Sequence, residues 1–315
     1  MSHIWTMGEI LVEIMRPKPD MQFYDTGEFL GPYPSGAPAI FIDTAARLGH
    51  SAGIIGGIGA DDFGKCLLQK FEKDGVNFSN VISIEGMSTA VAFVTYFKDG
   101  SRKFIYHIGN TPAAMVKSPD ISDIREPKFF HIMGCSLMAN DDFYAEIIKT
   151  MEKFIAKGAR VSFDPNIRAE LLRGRNINDI AGVVMSNCSV LLPGIDELLL
   201  LTGEATIEVA VEKVLNNGKT EIIALKKGKK GCTVYTKEEN FSLGVYDVDP
   251  VDPTGAGDSF DAAFLCGLLD NKPLVECAKQ ATAAASLNTA AFGPMEGNIS
   301  ITAVKDMMDR EDIRI

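Results

Sequence analysis

One tryptophan, four histidines and no Cys-x-x-Cys pair among six cysteines set the first limits on this chain of 315 residues. His3, His50, His107 and His131 stand at no metal-ligand spacing, so no histidine-based zinc site is expected. The cysteines fall mostly within apolar stretches and read as buried free thiols. No apolar run reaches the roughly 18 residues that a membrane-spanning helix needs. Positive charge is also short: 31 Lys and Arg stand against 42 Asp and Glu, a net charge of −11. That balance argues against a nucleic-acid or anionic-membrane surface and mainly predicts solubility. Met1-Ser2-His3-Ile4-Trp5 lacks a basic region followed by an apolar one, so no secretory leader is expected and the cytoplasm is the default. Internal repeats and low-complexity tracts are absent.

What is there is ordinary for a globular chain: 46% hydrophobic and 23% charged residues, enough for one large α/β domain with a small appendage. Short apolar runs at 4–7, 52–56, 129–133, 160–163, 190–192 and 221–225 read as buried strands. Amphipathic helical patterns lie between them at 38–48, 63–74, 142–157, 179–186, 196–202 and 207–216. Such alternation predicts a mainly parallel sheet with helices on both faces. Residues 232–235 and 240–246 read as an antiparallel pair at one edge, followed by helices over 256–269 and 274–290. In the first of these, Phe260, Ala263, Phe264 and Leu268 recur at helical spacing and should face the core.

Two stretches break the rhythm. Residues 9–15 with 23–33, and 88–97 with 102–108, are strand-like without intervening helices, and Lys98-Asp99-Gly100-Ser101 is a good hairpin turn. Together they predict one small sheet beside the main domain, a lid formed by about 9–34 and 86–112. Gly59-Ala60-Asp61-Asp62-Phe63-Gly64-Lys65-Cys66 nearly spells a P-loop. It fails because Cys66 replaces the magnesium-holding Ser or Thr, and two aspartates would sit in the phosphate cradle. Asp61 or Asp62 reads better as a helix cap. Gly57-Ile58-Gly59 opens a dinucleotide fingerprint, but Asp62 stands where its third glycine belongs.

The most informative segment is Asp252-Pro253-Thr254-Gly255-Ala256-Gly257-Asp258, a permissive turn leading into a helix. Gly255 and Gly257 allow backbone angles and approaches that a side chain would block. The helix start presents unpaired N–H groups and the positive end of a dipole, which makes an anion site. Asp258 inside that site is placed to take a proton from a hydroxyl while the N–H groups hold a phosphate. Phosphoryl transfer needs that pairing.

The run from Asp252 to Leu265 resembles the C-terminal signature of the ribokinase-like (PfkB) sugar kinases. Further segments resemble that family in order: Gly8-Glu9-Ile10-Leu11, Ser35-Gly36-Ala37-Pro38-Ala39, Ala45-Ala46-Arg47-Leu48-Gly49, Gly59-x-Asp61-x-x-Gly64 and Asp164-Pro165-Asn166-Ile167-Arg168. Leu192-Pro193 with Glu197, Leu201-Thr202-Gly203-Glu204 and Lys227-Gly228-x-x-Gly231 follow. The resemblance implies a three-layer α/β sandwich with a small sheet as lid, and an enzyme that moves a phosphoryl group from ATP to a primary hydroxyl of a sugar. It implies Asp258 as the base and the N–H groups of Gly255, Ala256 and Gly257 as an anion hole. Asp252 and the Thr254 carbonyl would lie near a monovalent cation such as K+. Gly228 and Gly231 would shape the nucleotide pocket, residues 283–288 would pack near adenine, and Glu197 would order the water shell of Mg2+. Gly36 belongs to the substrate motif, Arg168 would reach phosphate or an acidic substrate, and Tyr106 would stack on or hydrogen-bond the sugar. Many relatives pair through the lid, which implies a homodimer.

Three positions depart from the family pattern. Glu13 stands where a lid-strand Asp grips sugar hydroxyls, Ile40 replaces an Asn ligand, and Gly194 replaces the Asn of Asn-x-x-Glu. Ile40 removes both a donor and an acceptor, so substrate choice should change. The Asp-Pro-Asn-Ile-Arg and Leu-Pro-Gly runs resemble the fructokinase and 2-keto-3-deoxygluconate kinase branches. Residues 104–108 lack the arginine that acid-sugar kinases show nearby. A nucleoside or inositol kinase, and a non-catalytic nucleotide or sugar sensor, stay open as alternatives.

Overall fold

The computed structural model describes residues 3–172, 174–310 and 313–314; Met1 and Ser2, part of the segment without a leader pattern, lie outside the described residues. The chain opens with β1 (Ile4–Met7), β2 (Leu11–Met15), β3 (Leu30–Ser35) and α1 (Ala37–Arg47). β4 (Ala52–Gly59), α2 (Asp62–Asp74), β5 (Asn77–Ile84), β6 (Ala90–Tyr96) and β7 (Arg102–His107) come next. They lead to β8 (Phe129–Met133), α3 (Gly134–Leu137), α4 (Asp141–Ala156), β9 (Arg160–Asp164), α5 (Ala169–Leu172) and α6 (Ile177–Met185). After β10 (Cys188–Leu191), α7 (Ile195–Thr202), α8 (Ile207–Leu215) and β11 (Ile222–Lys226) the chain turns back through β12 (Cys232–Tyr235), β13 (Asn240–Leu243) and β14 (Val245–Tyr246). It finishes with α9 (Ala256–Leu269), α10 (Leu274–Thr289), α11 (Ile301–Met308) and β15 (Ile313–Arg314).

Nine strands form one sheet in the order β13-β12-β11-β10-β9-β8-β1-β4-β5, parallel except where β12 joins β11 and β13. β1, β4 and β8 are buried at every residue, as strands covered on both faces must be. Helices α1, α9, α10 and α11 pack on one another as one set, and α3, α4, α6, α7 and α8 connect as a second. The large sheet between these sets is the expected α/β sandwich. After β1 the chain builds outward to β4 and β5, then returns to place β8 on the other side of β1. Strand order reverses there, and the crevice at the carboxyl ends of β1, β8 and β9 is where such sheets bind ligands.

The two helix-free stretches pair as predicted. β2 runs parallel to β6, and the small sheet has the order β3-β2-β6-β7. Its boundaries differ in one respect: residues 23–29 are not strand. The Arg16 guanidinium bonds the carbonyls of Gln22, Asp25 and Glu28 and lies 3.8 Å from the Phe29 ring, which holds that segment as a loop. The 240–246 strand is also broken, at Gly244, because β14 leaves the sheet to pair with β15. β5 has no counterpart in the sequence expectation. It is a half-exposed edge strand without a clean apolar alternation. The near P-loop is a helix cap: Asp61 accepts from the Gly64 N–H at 2.9 Å and starts α2. Five of the six cysteines are buried, Cys66 is intermediate, and all six are free thiols. Among the described residues no helix is long and apolar enough to cross a membrane.

Candidate active site

Helix α9 owes its position to the turn before it. Gly255 caps the helix with φ of +81°, and a Cβ there would stand 2.5 Å from the Pro294 carbonyl oxygen, so only glycine fits. The first turn, Ala256-Gly257-Asp258, therefore begins immediately after this glycine, with the Ala256 N–H making a long bond, 3.4 Å, to the Pro253 carbonyl. Behind it α9 is buried almost all round and packs on α10, where Gly267 allows the Cys277 side chain to approach.

Two cavities meet at this helix start. The smaller, about 190 Å³, lies under the small sheet and is lined by Glu9, Glu13, Gly36, Ile40, Tyr106, Arg168 and Asp258 among others. The larger, about 670 Å³ and mostly apolar, is lined by Gly228, Gly231, Ala256, Gly257, Phe260, Ala285 and Ser286. Gly257 and Lys226 border both. A Cβ on Gly257 would meet nothing nearer than the Lys226 Nζ at 3.7 Å, so the cradle is open at this point.

Asp258 is buried, and Asn166 Nδ2 donates to its Oδ1 at 3.2 Å. Burial pushes its carboxyl up to about 7; the nearby Asp164 charge adds to this while Arg168 and Lys226 oppose it. Lys226 Nζ lies 2.9 Å from Asp164 and 3.0 Å from Asp261. Burial presses the Asp164 carboxyl upward, but the Lys226 ammonium and a hydrogen bond from Asp261 reverse it and hold it below the usual range. Asp261, also buried, is held well above that range.

In the smaller cavity, Glu13 Oε1 accepts from Ser35 Oγ at 2.7 Å, while its Oε2 is buried with no partner. Burial pushes this carboxyl up to about 7. Glu9 accepts from Cys135 Sγ at 3.1 Å and Ser136 Oγ at 2.5 Å, and burial raises it as well. Arg168 lines the same cavity; burial works to lower its pKa, and Tyr106, Cys135, Asp258 and Glu197 around it hold it raised instead. Tyr106 stacks on Phe104 at 5.3 Å.

Residues 25–301 match the model of the pfkB family carbohydrate kinases. The chain belongs to that family. As a pfkB-family carbohydrate kinase it is an ATP-dependent sugar-phosphorylating enzyme. It is 32% identical over 281 residues to "Probable fructokinase-4" of Arabidopsis thaliana, covering 87% of this chain and 85% of that one. An E. coli protein described as a candidate ribokinase II, solved in complex with ATP and Mg2+, superposes with a TM-score of 0.91 at 35% identity, covering 98% and 99% of the two chains. A fructokinase double mutant from Vibrio cholerae O395, bound to fructose, ADP and potassium, shares the fold with a TM-score of 0.83 at 23% identity over 98% and 99%.

The predicted residues of this pfkB-family kinase divide among the cavities. Asp258, Gly255, Gly257, Glu13, Gly36, Tyr106 and Arg168 border the smaller one. Gly228, Gly231, Ala256 and Gly257 border the larger, with Ala285 and Ser286 of the 283–288 run. Thr254 and Glu197, expected near a monovalent cation and the water shell of Mg2+, border the smaller cavity. Glu197 Oε1 and Oε2 accept the N–H groups of Ile167 (2.8 Å) and Gly194 (2.7 Å), so this side chain caps its own helix. Residues 104–108 hold no arginine, but Arg102, two residues earlier at the start of β7, lines the smaller cavity beside Arg168. Sequence reasoning gave no role to Lys226, Glu9, Asn166, Arg102 or Tyr96. Lys226 and Glu9 were findable: each stands at or just past the carboxyl end of a parallel strand.

Proposed function

We propose that this kinase transfers the terminal phosphoryl group of ATP to a primary hydroxyl of a monosaccharide-sized substrate held in the smaller cavity, with Asp258 as the base. The observation that carries this reading is the position of Asp258, at the mouth of α9 where the two cavities join. The N–H groups of Gly255, Ala256 and Gly257 stabilise charge on the migrating group, and Lys226 adds a fixed cation beside them. Glu13, with one buried oxygen still unpartnered, and Glu9 accept sugar hydroxyls. Arg168 and Tyr106 complete the wall, and Gly36 brings the backbone close.

The larger, apolar cavity suits a nucleotide base and ribose, with Gly228 and Gly231 at its rim. Bound Mg2+ would neutralise charge on the phosphates. Glu197 fits its water shell because two backbone N–H groups already orient the carboxylate, and each oxygen keeps an acceptor site. A monovalent cation fits beside Asp252 and the Thr254 carbonyl, where the buried Asn288 Oδ1 has no partner. The sheet of β2, β3, β6 and β7 acts as the lid of one kinase domain. Its outer face, with Ile105 40% exposed, would join two copies, which sedimentation tests.

The deciding experiment is a product-detected screen of neutral ketoses, acid sugars, polyols and nucleosides with ATP. A phosphorylated monosaccharide is the expected product; preference for a nucleoside or inositol would move the chain to those branches. A sensor would give no product with any acceptor.

A further inference from the structure

We propose that Tyr96 is a positioning residue that ties the small sheet to the turn before α9, so that docking of this sheet sets the phosphate-facing amides. The inference rests on the kinase reading above and adds a residue to it.

Tyr96 is the last residue of β6, and its register partner Arg102 is the first of β7. Both side chains leave the sheet and reach the same turn. Tyr96 Oη donates to Asp252 Oδ1 at 2.8 Å and lies 3.0 Å from Thr254 Oγ1. Arg102 Nη1 donates to Thr254 Oγ1 at 3.2 Å. The donors can be ordered without conflict: Arg102 gives to Thr254, Thr254 to Tyr96, and Tyr96 to Asp252. Such a chain polarises along its length and is stronger than its separate bonds.

The turn is also held from the main domain. Asp252 accepts the N–H groups of Thr254 (2.9 Å) and Gly293 (3.1 Å), and Asn288 Nδ2 donates to the Thr254 carbonyl at 2.7 Å. Asp252 and Thr254 are therefore gripped on two sides, immediately before Gly255, which caps α9 with φ of +81°. A shift at Thr254 passes directly to the amides of Gly255 to Gly257. Displacements near 1 Å are enough to cost roughly 100-fold in rate when they move a positioned group. No residue of 90–107 lines the larger cavity, whereas Arg102, Phe104 and Tyr106 line the smaller one, so a base and ribose in the larger cavity reach the hairpin only indirectly.

The test is amide hydrogen exchange on full-length protein with Mg2+ and a non-hydrolysable ATP analogue, wild type against Tyr96→Phe. The substitution removes the hydroxyl and keeps the ring. In the wild type the analogue should slow exchange across residues 90–107 by about 5-fold or more, a usual size for coupling between sites. In Tyr96→Phe the analogue should still bind by calorimetry, the protection should vanish, and kcat should fall about 10- to 100-fold with little change in the KM for ATP. A side chain that served stability alone would lower Tm without erasing that protection. The proposal is overturned if the bound analogue leaves residues 90–107 unprotected in the wild type, or if protection survives in Tyr96→Phe. Failure of the analogue to bind the wild type at all would instead overturn the kinase reading on which it rests.

Discussion

Replacing Asp258 by asparagine isolates the proposed chemistry from the architecture around it. The side chains are the same size, the position is buried, and a carboxyl with a pKa near 7 carries only partial charge at neutrality, so Asp258→Asn should fold. The anion-hole amides belong to the backbone and stay, as does the apolar cavity, so nucleotide affinity should be retained. What is lost is the proton acceptor. A positioned base contributes about 10²–10⁴-fold, and one whose pKa lies near the working pH sits toward the upper end, so we expect a loss of about 10³–10⁴-fold in kcat, or about 4–5.5 kcal/mol. The same pKa predicts a wild-type rate that rises with pH up to about 7 and is level above it, because the base must be ionised. Glu13 titrates in the same window, but its proposed role is to hold the sugar, so its removal should raise KM and leave the kcat limb in place. The linkage sign runs the other way for stability. A carboxyl raised from its ordinary value to about 7 on folding favours the folded state at low pH, and that contribution disappears as pH rises through 7. Asp258→Asn should therefore be the more stable protein above pH 7. ADP release, product detection and thermal unfolding across pH 5–9 measure all of this. Activity within tenfold of wild type, or an unchanged kcat limb, would refute the assignment of the base.

Gly257→Ala should leave Tm close to wild type, because its methyl enters open space, yet lower kcat about tenfold or more by crowding the cradle. Gly255→Ala should instead lower stability by about 2 kcal/mol or more, since φ of +81° and the Pro294 carbonyl both oppose a side chain; calorimetry and steady-state kinetics separate the two outcomes. Ile40→Asn restores a donor and an acceptor beside Gly255, and should raise kcat/KM for a fully hydroxylated sugar over its deoxy partner by about tenfold or more. The substrate screen repeated on the variant checks this, and unchanged ratios would show that Ile40 does not select. Burial pushes the Asp43 carboxyl up to about 8, against Lys70 and Arg47 at 3.7 and 3.6 Å. Folding thus favours its protonated form, stability should fall as pH rises from about 4 to 8, and Asp43→Asn should flatten that part of a Tm-against-pH curve.

The sheet was legible because strands buried on both faces leave unbroken apolar runs, as in Phe129–Met133, which matches its expected bounds. β5 was not, since an edge strand with exposure on both faces carries no such signal. The loop at 23–29 looked extended because its fate depends on Arg16, several residues upstream and itself wholly buried. The anion turn could be read because its chemistry is contiguous: glycines, helix start and aspartate follow one another. Tyr96 could not, for it meets Asp252 across 156 positions. Arg102 was hidden for the same reason, since its relevance depends on where the hairpin ends over the crevice.

What no pattern along the chain discloses is why aspartates so close together should behave differently. Asp164 and Asp258 are both buried, both border the smaller cavity, and Asn166 Nδ2 lies 3.2 Å from each. Desolvation presses both toward the neutral form. Only Asp164 has an ammonium against it, Lys226 at 2.9 Å, and that contact holds it ionised. Once ionised, it becomes one of the charges that keep Asp258 protonated to higher pH. Two environments thus push two like groups in opposite directions, the arrangement by which one site holds a permanent anion and a titratable base. Lys226 also bonds both carboxyl oxygens of Asp261, whose burial raises its pKa well above the usual range and which hydrogen-bonds Asp164 in turn. Removing the lysine would leave Asp164 unpaired and raise its pKa, which weakens the repulsion on Asp258, and would also take away the cation that directly lowers Asp258. Lys226→Met should therefore shift the acid limb of kcat as well as lower its plateau. Loss of a phosphate contact alone would lower the plateau and leave the limb where it was.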